Sequence, residues 1–249
     1  MSHVFVADLN GLAVGDDVVI AGDEGHHAVR VRRIRVGESV ELVDGEGTRA
    51  GGDVSHVSVD SCTVHIHHLT YEPQTRPALT VIQALVKKDR SDQAMELMTE
   101  AGVDEVLPWA AARSQTSSLP PKWARIARES SKQARRARFP VISDVQGTPD
   151  VSAHIARTVS GGGLVLLCHE SAVTPISQVL AAAQPQPPAV MIVVGPEGGL
   201  TSDELNAFTA AGAVPVVMGP SVMRAASAGA IAAAVVSAMT TRWDEGAAR

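Results

Sequence analysis

The sequence predicts a two-domain α/β protein, with a small β-barrel over residues 1–72, a linker over 73–77 and an α/β layered domain over 78–249. Three observations predict it. Short β-rich runs separated by Gly-Asp, Asp-Gly and Gly-Gly pairs fill the first part. Glu72-Pro73-Gln74-Thr75-Arg76-Pro77 then places two prolines in six residues, which favours an extended connection. Beyond Ala78, apolar runs alternate with helical patterns, as in a parallel sheet covered on both faces.

In the first domain Val18-Val19-Ile20, Ser39 to Val43, Val54 to Val59 and Cys62 to Leu69 read as strands, with a helical piece around Gly25 to Arg33. In the second, Leu79 to Val86 is a strand. Asp89 to Ala101 is a helix with Ala94, Leu97, Met98 and Ala101 on one face, and Gly102 closes it. Glu105 to Leu107, Leu164 to Leu167, Val190 to Val194 and Val214 to Met218 are strands. Lys122 to Arg138, Ser202 to Ala211 and Ser227 to Arg242 are helices. Gln184 to Pro188 is a Pro/Gln loop, and no internal repeat is visible.

Composition limits the classes. A chain of 249 residues with 45% hydrophobic and 19% charged residues can bury two cores; aromatics are only 3%, so Val, Leu, Ile and Ala must build them. A net charge of −6 argues against indiscriminate nucleic-acid coating but leaves room for a local basic face. Cys62 and Cys168 form no CxxC pair, and two lone thiols fit a reducing compartment. Met1 to Asn10 show no basic stretch followed by an apolar one, and Ala225 to Met239 is too short to span a bilayer, so a cytoplasmic protein is expected.

The strongest local signal follows the strand Val190 to Val194: Gly195-Pro196-Glu197-Gly198-Gly199-Leu200-Thr201, with Glu204 at capping-box spacing from Thr201. Ligands of open α/β sheets sit at the carboxyl ends of strands. The loop is neither GxGxxG nor a P-loop, and Glu197 in its middle would repel a pyrophosphate. A cationic ligand such as S-adenosylmethionine (SAM), with a sulfonium and an ammonium, suits it better; a plain tight turn with a solvated Glu remains open. A second strand-to-loop-to-helix passage is Met218-Gly219-Pro220-Ser221-Val222-Met223-Arg224. Beside an apolar helix, Arg224 calls for a partner: an internal carboxylate, a substrate phosphate or a developing base anion.

Two basic stretches are candidates for RNA. Along the helix Lys122 to Arg138, Lys122, Arg125, Arg128 or Glu129, Lys132 and Arg135 or Arg136 recur at three- and four-residue steps. This is either a solvated face or an RNA-backbone footprint. His26-His27-Ala28-Val29-Arg30-Val31-Arg32-Arg33 mixes imidazoles with guanidiniums. His65 and His67 share a strand face, but two ligands are too few for zinc. No GxSxG supports a Ser hydrolase.

Taken together, these motifs resemble the RsmE family of 16S rRNA (uracil-N3) methyltransferases, of the SPOUT class. The resemblance is carried by Gly195 to Thr201 with Glu204, by Met218 to Arg224 before an Ala-rich helix, and by Met95 to Pro108. Glu129 to Arg136, and His26-His27 with Val29-Arg30 and Gly37, complete it. It covers nearly the whole chain in the family's order. It implies an N-terminal PUA-like RNA-binding barrel and a C-terminal SPOUT domain with a deep trefoil knot. It also implies a homodimer, SAM as methyl donor, and 16S rRNA within the 30S subunit as partner, with neither membrane nor metal.

The implied SAM contacts are Leu167, Gly195, Glu197, Gly198, Gly199, Met218, Gly219, Ser221, Val222, Met223 and Ala228. Arg224 is the expected catalytic residue, beside the uracil oxygens or on a phosphate. Expected RNA contacts are His27, Arg30, Arg32, Arg33, Arg125, Lys132, Arg135 and Arg136. The family often continues its Leu-Arg with Thr-Glu-Thr-Ala, whereas Arg224 is followed here by Ala225-Ala226-Ser227-Ala228, without the carboxylate and one hydroxyl. The rival readings are a SPOUT enzyme acting on tRNA or another rRNA site, a non-enzymatic RNA-binding protein, and a nucleotide-dependent oxidoreductase.

Overall fold

The structure, a computed structural model, describes residues 3–244; the first two and last five residues of the expected domains lie outside the described residues. The chain forms two compact units, Met1–Gln74 with Arg128–Phe139, and Thr75–Ala127 with Pro140–Arg249. Residues 128–139, read in the sequence as part of the second domain, thus group with the first.

The first unit holds β1 (His3–Val6), β2 (Asp17–Ile20), β3 (Ser39–Val43), β4 (Thr48–Val57) and β5 (Cys62–Tyr71) in the order β1-β3-β4-β5-β2. β1 runs parallel to β3 and the other pairs are antiparallel. The expected barrel is a curled five-stranded sheet. Register shifts at Gly51/Gly52 and Val54/His56 bend the β4–β5 ladder, as β-bulges do. Phe5, Ile20, Leu42, Val64 and Ile66 fill one core beneath it, under a short helix α1 (Gly22–His26) that continues as a π-helical turn, His27–Val31. β1 carried too short a pattern to be read from sequence.

The second unit holds six parallel strands: β6 (Ala78–Ala84), β7 (Glu105–Trp109), β8 (Val141–Ile142), β9 (Leu164–Cys168), β10 (Ala189–Val194) and β11 (Val214–Val216). Their order is β11-β9-β10-β6-β7-β8. Successive side chains divide between the faces. Leu79, Val81, Leu166, Val190 and Ile192 pack against α2 (Lys88–Glu100), the start of α3 (Trp123–Gln133), α5 (Ile176–Ala182) and α7 (Ala225–Met239). Ile82, Val165, Leu167, Met191 and Val193 pack against α4 (Thr148–Ser160) and α6 (Ser202–Ala210). There Trp109 meets Phe208 edge-on, ring centroids 5.0 Å apart. Burial on both faces is why these strands read as unbroken apolar runs.

Two expected helices end early. α3 stops at Gln133 because Arg135 adopts φ +55°, with Arg135 N–H bonded to the Lys132 carbonyl and Arg136 N–H to that of Ser131. This is a Schellman closure built on arginine instead of glycine. α7 stops at Met239, and Arg242 turns inward, donating to Asp104 at 2.9 Å and to the Gly102 carbonyl at 2.7 Å. α4, α5 and β8 were not anticipated. No described helix is long and apolar enough to cross a membrane.

Candidate active site

The carboxyl ends of β9, β10 and β11 open onto a cavity of about 500 Å³ in the second unit. The loop after β10 forms one wall. Its shape follows from the sequence: Gly199 holds φ +70°, and a Cβ on Gly195 would stand 2.7 Å from Leu200 Cδ1. The loop is anchored at its far end by the expected capping box. Thr201 Oγ1 accepts from Glu204 N–H at 3.2 Å, while Glu204 accepts from Thr201 N–H and Oγ1 at 2.8 and 2.9 Å and from Ala112 N–H at 2.7 Å. Arg113 adds a clamp on the Gly198 carbonyl at 2.7 Å, and Glu197 pairs with Arg90 at 3.1 Å.

The facing wall is the loop after β11. It is tied to the chain before α5 through Val217 N–H to the Thr174 carbonyl and Ile176 N–H to the Val217 carbonyl, both 3.0 Å. From it Met218, Gly219, Ser221, Val222, Met223 and Arg224 line the cavity, followed by Ala225 and Ala228 at the start of α7. Gly195, Glu197, Gly198 and Gly199 line it from the other side.

Leu167, expected to meet the adenosine through its backbone, directly precedes Cys168, where the cavity lining begins, and its side chain does not enter the cavity. The alternation along β9 turns its side chain into the opposite core, and Cys168 lines the cavity instead. Cys168, His169 and Glu170 were missed in the sequence because they form no motif; their place at the carboxyl end of a buried strand was the available signal. Arg224 is exposed, not buried against the apolar helix, so it needs no internal carboxylate, and its side chain has no partner among the described residues. Burial pushes the Cys168 thiol up to about 12, so it stays protonated and is no nucleophile. Glycine-lined backbone, thioether-bearing Met218 and Met223, and the carboxylate of Glu170 suit a mostly apolar ligand carrying positive charge, while Glu197 is already paired with Arg90.

The expected RNA contacts sit differently. Arg32 and Arg33 are exposed directly after the π turn, and Arg30 pairs with Asp60 at 3.1 Å. His27 is half-buried and accepts from Arg32 Nε at 3.3 Å. Arg125 is exposed; Arg135 and Arg136 are half-buried, Arg135 with Glu41 at 3.4 Å. Lys132 is a correction. It is 8% exposed, and its ammonium donates to Glu24 at 2.9 Å, so it belongs to the first unit's interior and not to a surface stripe. Arg128 joins the same carboxylate at 3.0 Å. His65 and His67 are held by Asp17 and Asp53, each at 2.9 Å.

Comparison with known proteins agrees with this architecture. The family model described as RNA methyltransferase domain matches residues 73–237, and that described as RNA methyltransferase PUA domain matches residues 20–66. Ribosomal RNA small subunit methyltransferase E of Mycobacterium tuberculosis (strain CDC 1551 / Oshkosh) is 41% identical over 240 residues, 94% of this chain and 90% of the relative. That of Bacillus subtilis (strain 168) is 27% identical, over 89% of this chain and 90% of the relative. The crystal structure of a ribosomal RNA small subunit methyltransferase E from Neisseria gonorrhoeae bound to S-adenosyl methionine superposes with a TM-score of 0.84. At 22% identity it covers 96% of this chain and 98% of that one, and so it bears on the fold. With an α/β domain preceded by a PUA domain, and 41% identity across nearly all of its length, the chain belongs to the ribosomal RNA small subunit methyltransferase E family.

Proposed function

We propose that the protein transfers the methyl group of SAM to N3 of a uridine in 16S rRNA of the small ribosomal subunit. The observation that carries this reading is the meeting of the two family loops, 195–200 and 218–224, around one cavity in a chain 41% identical to a named rRNA methyltransferase. When bound, SAM supplies an electrophilic methyl group. Gly195, Gly198 and Gly199 let backbone approach it, Met218, Gly219, Ser221, Val222, Met223 and Ala228 enclose it, Glu170 offsets its positive charge, and Glu197, paired with Arg90, holds the loop.

The uridine N3 must shed a proton to attack. The exposed guanidinium of Arg224 at the rim is suited to stabilise the negative charge that develops on the uracil oxygens, or to hold a neighbouring phosphate. Holding base and methyl in line supplies much of the rate. Ser227 donates to the Arg224 carbonyl at 3.2 Å and so helps start α7 in this chain. The resemblance further supports a cytoplasmic homodimer, a deep trefoil knot around the cofactor, and recognition of RNA within the 30S subunit by Arg32, Arg33, Arg125, Arg135 and Arg136.

The test is methyl transfer from labelled SAM to small subunits purified from cells lacking this gene, with the modified base mapped. Label at N3 of a single 16S uridine is the expected result. Label on tRNA or on another rRNA position would keep the enzyme class and replace the substrate. Absence of SAM binding would leave an RNA-binding protein without this chemistry.

A further inference from the structure

In the first unit a cleft of about 220 Å³ opens between β1, the π turn and the end of α3. Its size is below the usual range for a drug-sized ligand and suits a single charged group. Its charged lining is Arg32, Lys132, Arg135 and Glu129, with the rings of His3, Phe5 and His27 beside them. The backbone is shaped around two of the arginines. Arg32 N–H bonds the His27 carbonyl at 2.9 Å, five residues back, so the π turn sets Arg32 over His27, where an ordinary helical turn would set Val31. Arg32 Nε then donates to His27 Nε2 at 3.3 Å. Arg135 is held at φ +55°, and its carbonyl accepts from Arg49 Nη2 at 2.6 Å. The two non-glycine residues with positive φ among the described residues are Arg33, directly after Arg32, and Arg135. Such strain persists where the surroundings enforce it, and it gathers at functional sites.

Within the cleft, Lys132 is committed to Glu24 at 2.9 Å and to Glu129 at 3.4 Å, and Arg135 donates to Glu41 at 3.4 Å, so a phosphate held by Arg135 shares that guanidinium with a carboxylate. Burial, with the nearby charges of Lys132 and Arg32, holds the His27 imidazole below its ordinary pKa. It is therefore neutral near pH 7 and accepts from the guanidinium instead of repelling it.

We propose that this cleft seats a phosphodiester group of the RNA substrate, gripped by the guanidinium groups of Arg32 and Arg135, with His27 as the positioning residue that aims Arg32. The inference rests on the rRNA reading above and adds to it a defined backbone contact in the first unit. Planar guanidinium groups recognise phosphate oxygens bidentately, and a phosphodiester offers one negative charge in a form that two arginines can share.

The experiment measures binding of the full-length protein to unmodified small-subunit rRNA across a salt series. The variants are Arg32→Gln, Arg135→Gln, His27→Leu and His27→Gln. Arg157→Gln, at an exposed residue of α4, removes one charge in the second unit as a control. Arg32→Gln and Arg135→Gln are each expected to lower the log–log salt slope by about 0.7 to 0.9, and Arg157→Gln to leave it unchanged. His27→Leu should lower affinity, while His27→Gln, whose amide oxygen can still accept from Arg32, should restore most of it. An unchanged slope in Arg32→Gln, an exposed position that does not threaten folding, overturns the cleft while leaving the enzyme reading intact. Inorganic phosphate binding to wild type at low millimolar levels in calorimetry, but not to Arg32→Gln, and without displacing bound RNA, assigns the cleft to a free anion and overturns the RNA source. Wild type that neither binds rRNA nor transfers methyl to it removes the function reading, and this inference with it.

Discussion

Replacing Lys132 by methionine tests whether this residue is an interior partner or a surface contact. Its side chain is 7% exposed and that of Glu24 is 10% exposed, with the ammonium on both carboxylate oxygens, at 2.9 and 3.2 Å. Lys132→Met keeps the length of the aliphatic stem but leaves Glu24 buried with less compensation. Removing one partner of a buried pair costs about 3–5 kcal/mol. Here Arg128, still 3.0 Å from Glu24, and the Val6 N–H at 3.3 Å remain, so the lower end, about 3 kcal/mol, is expected. Urea unfolding followed by circular dichroism reads this directly. A second variant, Glu24→Leu with Lys132→Met, should recover most of the loss, because it removes the unpaired charge along with its partner. A Lys132→Met protein within about 1 kcal/mol of wild type, combined with a salt slope for RNA reduced by one contact, would refute the reasoning and return Lys132 to the RNA surface.

Three further outcomes follow from the same structure. Burial raises the Glu24 carboxyl, but the hydrogen bond and charge of Lys132, the Val6 amide and Arg128 outweigh it and hold the group below its ordinary 4.5. The stability it contributes is therefore complete above that pH and fades as pH falls through the lowered value, and an acid titration of the melting temperature should lose this loss in the Glu24→Leu, Lys132→Met double variant. Glu204→Ala leaves the Thr201 and Ala112 amides without their acceptor and should cost about 2–4 kcal/mol, seen in urea unfolding, together with weaker SAM binding in calorimetry as the 195–200 loop loses its anchor. Arg224→Ala should leave SAM affinity unchanged and slow methyl transfer at least tenfold, and wild-type turnover in this variant would remove Arg224 from the mechanism.

How much was legible in the sequence differs by element. The second unit's strands were readable because burial on both faces writes continuous apolar runs, and the capping box at Thr201 and Glu204 located the start of α6 to the residue. The two glycine-bearing loops stood out as local patterns, and most of their residues do line one cavity. β8 and α5, of two and seven residues, are too short to leave a periodic signal, while the 13-residue α4 buries only Val151 and Ile155 and so carries a narrow apolar stripe.

Local chemistry, then, is what the sequence determined by itself: strand and helix periods, caps, loop glycines and the charge of each segment are set by neighbours in the chain. Tertiary structure decided which groups meet. Glu24 lies 108 residues from Lys132 in the chain, and only folding turns a residue of an apparent basic stripe into the inner half of an ion pair. Packing chose which face of β9 carries Leu167 into the opposite core and leaves Cys168 lining the cavity. It also left Arg224 exposed to solvent, so that its charge carries no desolvation cost and remains available to a substrate.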